Sequence, residues 1–454
     1  MKHKFSINVE KAFSEENLLN AYTHVEGQMS LEQSKVGIIP RSAGKKIYKN
    51  ATFENLNKAR LKREFKKNNN LILSLTNELA DICGEAGKYV HWGGTSKNIT
   101  DTGQLLILRE THRKTLSNLA NLLHDLKQLA SKNNSTLMIG RTMGQYALPI
   151  TFGFKVAGWL QGLIRCEERF KAAEKVVFTL HFGGAVGGHH GFQGKGILLS
   201  KKLAASFGFL NSTIPNRISV DKYADYILAS AFLANTIKHI TKEIYLLMSQ
   251  DIGELSELQS KDLISSSTMP QKTNPILPPP ILSDCSILIS QATSVLTSDP
   301  PLNEGDDQYN LLIDKVLRNS VDELNKIINK FNILIISIKA NKKVMEENLI
   351  SQKDALLLEK LMLELGNSIG RAKAHDHLNK ISNKAKKESI PIYSLLSGDD
   401  LIKQHFKNKK LKTFLEPKHY VGECETLTKN IVKDTSLRVL EIRKRISRKN
   451  LAIK

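Results

Sequence analysis

Apolar residues recur along the middle of the chain at alternating steps of four and three. Phe152, Val156, Trp159, Leu163, Cys166 and Phe170 form one stripe. Leu233, Ile237, Ile240, Ile244 and Leu247 form a second, and Leu317, Val321, Leu324, Ile328, Phe331 and Ile335 a third. This spacing returns side chains to one face of an α-helix, so each run predicts a long helix burying one seam in a bundle. The stretch from Leu105 to Lys132 is also predicted helical, after a Thr- and Asp-rich start. The runs together predict an all-α fold with a central long-helix bundle over residues 105–350. Smaller regions flank it: mixed short helices and loops over 1–104, and a helical C-terminal region over 351–454 with breaks at Pro391 and Pro417.

Three polar segments interrupt the helical pattern. They read "HWGGTSKNITDTG" (His91–Gly103), "GRTMGQYALP" (Gly140–Pro149) and "SSSTMPQKTNP" (Ser265–Pro275). Each sits at a predicted helix boundary. Each is dense in Gly, Ser, Thr and amides, which bind anions through backbone N–H groups and hydroxyls. One such segment would be an ordinary loop. Three of like chemistry, far apart in sequence, imply one site assembled from distant parts.

Composition narrows the class. The 454 residues are 41% hydrophobic, enough for a large core, and only 6% aromatic, so Leu, Ile and Ala carry that core and favour helices. Lys and Arg number 66 against 45 Asp and Glu, a net charge of +21. The excess is spread over the chain, with runs at Lys384–Lys387, Lys403–Lys412 and Arg443–Lys449. No aromatic residues are interleaved for base stacking and no finger or RNP motif is present, so the runs read as solvated faces and nucleic acid is not an expected partner. Cys83, Cys166, Cys285 and Cys424 form no CxxC pair and suit neither zinc nor a disulfide framework; they read as reduced, buried thiols. The start "MKHKFSINVEKAF" lacks a signal-peptide apolar region, and no apolar run approaches the ~20 residues that span a bilayer. A soluble, cytoplasmic protein is the expectation.

The three segments carry a family resemblance. Ser265–Pro275 resembles the signature loop Gly-Ser-Ser-x-Met-Pro-x-Lys-x-Asn-Pro of the fumarase/aspartase superfamily, broken only by Ser265 in the Gly position. Within that superfamily the 3-carboxy-cis,cis-muconate cycloisomerase branch looks nearest. "VHWGGTSKNITDTG", "GRTMGQYALPITFGFKVAGWL", "FGGAVG" (Phe182–Gly187) and "GRAKAHDHL" (Gly370–Leu378) are similar to its segments. "LEPKHYVG" (Leu415–Gly422) is similar to the C-terminal domain it shares with adenylosuccinate lyase. The resemblance spans nearly the whole chain. It implies a homotetramer whose active sites take their three segments from three chains, a small anionic carboxylate substrate, no metal and no organic cofactor. The implied reaction is elimination, or the reverse addition, at a carbon next to a carboxylate.

That chemistry asks for a base and a nest of donors, because removing the proton loads a second negative charge onto the carboxylate. The resemblance maps the base to Ser266, whose alkoxide needs nearby positive charge, and Lys272 is the matching cation. Asn274, Thr95, Ser96, Thr142 and Gln145 are the neutral donors, with Met269 in the same loop. His91 maps to a histidine that contacts substrate or assists the acid step. Arg141 and Lys195 are candidate carboxylate partners, and Glu304 matches a glutamate that orients catalytic groups. His189 and His190 are unusual at their place and read as surface loop residues or as an additional acid.

The departures fall on substrate reading. Met143 stands where adenylosuccinate lyase places its acid histidine, which favours the cycloisomerase branch. Ser219-Val220-Asp221-Lys222 replaces a Gln-Arg-Asp-Arg segment, and Val220 removes a guanidinium that would grip a carboxylate in bidentate fashion. Lys97 and Asn98 replace a Gln-Asp pair. The expectation is a sibling enzyme with altered substrate contacts. An adenylosuccinate lyase-like C–N lyase and a catalytically inert binding homologue are the alternatives.

Overall fold

In the computed structural model the described residues are 5–258, 268–299, 301–406, 408–449 and 451. Among the described residues, the long helices that carry most of the main core are α1 (Glu15–Val36), α2 (Ser96–Lys132), α3 (Phe152–Val177), α4 (Asp221–Leu247), α5 (Pro278–Thr297), α6 (Asp307–Ser337) and α7 (Cys424–Ile446). All members of the three apolar stripes are buried, and they lie on α3, α4 and α6 respectively. The seam of α4 packs against α3, α5 and α6, while α2 packs against α1, α3, α6 and α7. The all-α reading therefore holds.

Helices from outside residues 105–350 pack into this same core, α1 and α7 among them. Leu19, Tyr22, Val25 and Met29 of α1 and Val439 and Ile442 of α7 belong to its main apolar cluster. Arg445 of α7 pairs with Glu167 of α3 at 2.6 Å, and Glu174, two turns further on, accepts from buried His112 of α2 at 2.8 Å. A second, smaller apolar cluster lies between Leu357 and Leu415.

Helix ends follow local chemistry. Ser14 caps α1 by accepting from the Asn17 backbone, and Gly37 ends it in the left-handed conformation. Asp306 caps α6 through the Gln308 backbone N–H. Three prolines, Pro278 to Pro280, open α5, where missing N–H groups remove no intrahelical bond.

Helix α2 begins at Ser96, nine residues before the expected Leu105. The Thr- and Asp-rich start is helical because tertiary and local bonds absorb its polar groups. Thr102 donates back to the Asn98 carbonyl at 2.6 Å, and Asp101 is paired across to α4. The second polar segment is a β-hairpin, β1 (Leu137–Thr142) and β2 (Gln145–Thr151), with Thr142 opposite Gln145. Met143 and Gly144 form its turn with φ of 52° and 74°, the doubly positive pattern of tight hairpins. Short pairs β3 (Thr179–Leu180) with β4 (Leu210–Asn211), and β5 (Leu255–Glu257) with β6 (Ile338–Ala340), complete the strands. All four cysteines are buried and free. Among the described residues no helix is long and apolar enough to cross a membrane.

Candidate active site

The first polar segment leads into the N-terminus of α2. His91 has φ 58° and Gly93 φ 67°, so the chain reverses sharply here. A side chain on Gly93 would meet the Gly191 carbonyl at 2.7 Å, which leaves room only for glycine. The turn is tied to α1 by Gln33, whose amide donates to the Trp92 carbonyl at 2.6 Å. His91 Nδ1 lies 2.6 Å from Glu26 Oε1, and Glu26 is fully buried. Burial alone would depress the His91 pKa, but the hydrogen bond and charge of Glu26 outweigh it, and the net shift is upward from 6.5. Thr95 and Ser96 follow at the positive end of a 37-residue helix. Asn98 is buried and accepts from the Gly184 N–H at 3.1 Å, which fixes the Phe182–Gly187 loop beside it.

Beneath this surface Lys222 donates to Asp101 at 2.8 Å, and Tyr223 donates to the same carboxylate at 2.7 Å. Burial lowers the Lys222 pKa; at Asp101 burial works upward, but the Lys222 charge and hydrogen bonds hold the pKa below the usual value. A cleft beside the pair is lined by Lys97, Asp101, His181, Arg217, Ser219 and Val220. Burial pushes the His181 pKa down to about 4. Val220 is buried in the core and presents no polar group. Glu304 is exposed in the turn before α6, and its neighbour Gly305 packs on the Arg217 guanidinium, which places it at this end of the bundle. His189 has φ 59°, its Nδ1 is buried without a hydrogen-bond partner, and burial lowers its pKa. Lys195 donates to the Gly37 carbonyl at 2.9 Å, so its ammonium closes the end of α1.

The hairpin and the signature segment occupy the opposite end. Arg141 meets both oxygens of buried Glu254, at 2.9 and 2.7 Å, and lies over the Tyr146 ring. Its fork is thus engaged within the chain. Thr142 and Gln145 are exposed at the hairpin tip, and Met143 between them is 99% exposed. In the third segment, the Lys272 N–H closes a turn onto the Met269 carbonyl at 3.0 Å. Met269 and Lys272 are exposed and Asn274 is half-buried. The backbone then runs to Glu257, whose carboxylate accepts from Ile276 and Leu277 N–H at 3.1 and 3.0 Å, just ahead of α5. Ser266, like Ser265, lies outside the described residues.

One chain therefore holds the predicted residues in two groups. Helix α2, at 1.5 Å per residue, spans roughly 55 Å between the His91 turn and the hairpin. Helix α4 spans on the order of 40 Å from the Asp101–Lys222 pair toward Glu254. His91, Thr95, Ser96 and Glu304 are at one end. Arg141, Thr142, Gln145, Met269, Lys272 and Asn274 are at the other. Among the described residues no three His, Cys, Asp or Glu side chains converge as metal ligands.

A family model described as lyase matches residues 8–285, more than half of the chain. This protein is a lyase of the fumarase/aspartase superfamily. Its relatives include an adenylosuccinate lyase of Pyrococcus horikoshii, 29% identical and covering 94% of this chain and 95% of the relative. An N-acetyl-S-(2-succino)cysteine lyase of Dickeya dadantii is 28% identical, covering 93% of each. Among solved structures, a fumarate lyase from Mesorhizobium sp. BNC1 superimposes with a TM-score of 0.86 at 24% identity, covering 94% of this chain and 97% of that one. The 3-carboxy-cis,cis-muconate lactonizing enzyme of Pseudomonas putida follows at 0.84 and 23%, covering 95% and 97%. The structural likeness establishes the fold of the lyase.

Three acidic residues of this lyase escaped the sequence reading: Glu26, Glu254 and Glu257. Glu26 carried a usable signal. It falls on the buried face of α1 among Tyr22, Val25 and Met29, where a carboxylate needs a partner. Glu254 and Glu257 sit in a short irregular stretch with no periodicity, and nothing in the sequence singled them out.

Proposed function

We propose that this lyase catalyses elimination, or the reverse addition, at a carbon next to a carboxylate, without a cofactor, in sites shared between copies of the chain. The carrying observation is the split of the predicted set between bundle ends. A complete set forms only where the His91 end of one copy meets the Lys272 and hairpin ends of others, which fits the homotetramer that the resemblance implies. Ser266 removes the proton. Lys272 stabilises its alkoxide, and Asn274, Thr95, Ser96, Thr142 and Gln145 hold the doubly charged carboxylate. His91 protonates the leaving atom. Met269 lines the pocket, Glu304 orients the His91 end, and Arg141 positions the hairpin through Glu254.

Two relatives, an adenylosuccinate lyase and an N-acetyl-S-(2-succino)cysteine lyase, support a substrate class, since both names carry a succino group. Succinyl adducts that release fumarate are the first candidates. A second reading, an intramolecular lyase closing a lactone, is favoured by Met143, which gives the hairpin tip no proton-transferring side chain. The test is a panel of succinyl adducts and carboxymuconolactones read by fumarate or diene absorbance. Turnover that falls at least ~10²-fold in Ser266→Ala, with an unchanged unfolding midpoint, supports the reading. Ligand binding without turnover anywhere in the panel would favour an inert binding homologue instead.

A further inference from the structure

We infer that Glu26 is a positioning residue for the acid step, fixing the His91 ring and holding it as an imidazolium; this rests on the elimination chemistry proposed above. The geometry is specific. Glu26 Oε1 and His91 Nδ1 are 2.6 Å apart across 65 residues of sequence. Glu26 is fully buried, and its other oxygen has no hydrogen-bond partner. A buried carboxylate left half satisfied is costly unless a cation neutralises it. Among the described residues the cation within reach is the protonated imidazole.

His91, in turn, is held where an ordinary residue resists going. Its backbone is in the left-handed region, and its carbonyl accepts from Gly94 at 3.2 Å. Gln33 holds the Trp92 carbonyl from the same helix that carries Glu26. The turn at Gly191 and Phe192 packs on the other side and offers backbone and an apolar ring, not charge. Glu26 is thus the charged group that acts on the ring, and it shifts the His91 equilibrium toward the charged form despite burial. With Nδ1–H donated to Glu26, Nε2–H is the proton available to a bound molecule.

In the acid step the base takes the C–H proton, the C–X bond breaks with its electron pair moving to X, and the Nε2–H proton passes to X. His91 is left as neutral imidazole and regains a proton from water. Glu26 acts through its hydrogen bond to Nδ1 and passes no proton to the leaving atom itself.

The test uses Glu26→Gln in the full-length protein. Gln keeps the shape and the hydrogen bond and removes the charge. Histidine-detected NMR should place the His91 titration at lower pH in the variant than in wild type. The alkaline limb of the kcat profile, where the protonated acid is lost, should move down by the same amount, and kcat at neutral pH should fall roughly tenfold or more with KM little changed. A His91 titration that is the same in both proteins would overturn the proposal, as would a shifted titration with an unshifted kcat profile. If Glu26→Gln does not fold, the wild-type titration decides: an imidazole already neutral at pH 7 removes the argument. The NMR arm needs no substrate, so failure of the elimination reading and failure of the Glu26 assignment are separable.

Discussion

Arg141 reaches from the hairpin to both carboxylate oxygens of Glu254, and Asn348 adds a third contact to the same group at 3.2 Å. Removing the guanidinium leaves a fully buried carboxylate uncompensated. Arg141→Ala should destabilise the chain by about 3–5 kcal/mol, and Arg141→Lys should recover only part of this because it loses the second bond. Urea unfolding midpoints measure both. A neutral Arg141→Ala would show that the pair does not hold the hairpin in place.

The proposed sharing of sites between copies makes a mixing prediction. His91→Gln and Lys272→Ala should each be inactive alone. When the two are denatured together and refolded, a fraction of wild-type turnover should return, because some sites then draw each residue from an intact copy. Mixtures as inactive as the parents would place both residues in one chain's site, against the separation along α2 and α4.

Acid sensitivity should trace to His181. Burial is the main cause of its low pKa, with Lys222 adding to it and Asp101 and Asp221 opposing. The folded state holds the imidazole neutral down to about pH 4, whereas the unfolded chain binds a proton below about 6.5. Between these values the unfolded state carries more protons, so stability falls as pH drops. His181→Asn should flatten the loss of stability across that window. Identical slopes in a pH series of unfolding midpoints would refute a neutral buried His181.

The hairpin tip offers a contrast between stability and use. Met143 sits in the left-handed region, where a non-glycine side chain is unfavourable and Asn is tolerated. Met143→Asn should stabilise the hairpin by about 1 kcal/mol. Because this side chain is almost wholly exposed, a concurrent loss of turnover would mean that it serves the assembled site. Unchanged turnover would assign it no such role.

The long seams were legible because burial of one helix face imposes a period that few other structures share. The stripes on α3, α4 and α6 lie in the core without exception. The start of α2 was not legible, since Asp101 reads as a loop former until Lys222 and Tyr223, more than a hundred residues away, are placed beside it. The hairpin was hidden for a different reason. Its tip pairs Met with Gly where Asn-Gly would have announced the turn. Of the candidate site, the residue types were readable in three polar segments, but their partners were not. Glu26 and Glu254 act through contacts to His91 and Arg141 across 65 and 113 positions, and no local pattern encodes such contacts.

The length of α2 has a further consequence. On the proposed shared-site reading, a chain whose candidate groups stand at opposite ends of a rod holds no complete site of its own, however well folded it is. Activity would then be a property of concentration as well as of sequence, and dilution below the dissociation constant of the assembly should progressively silence it.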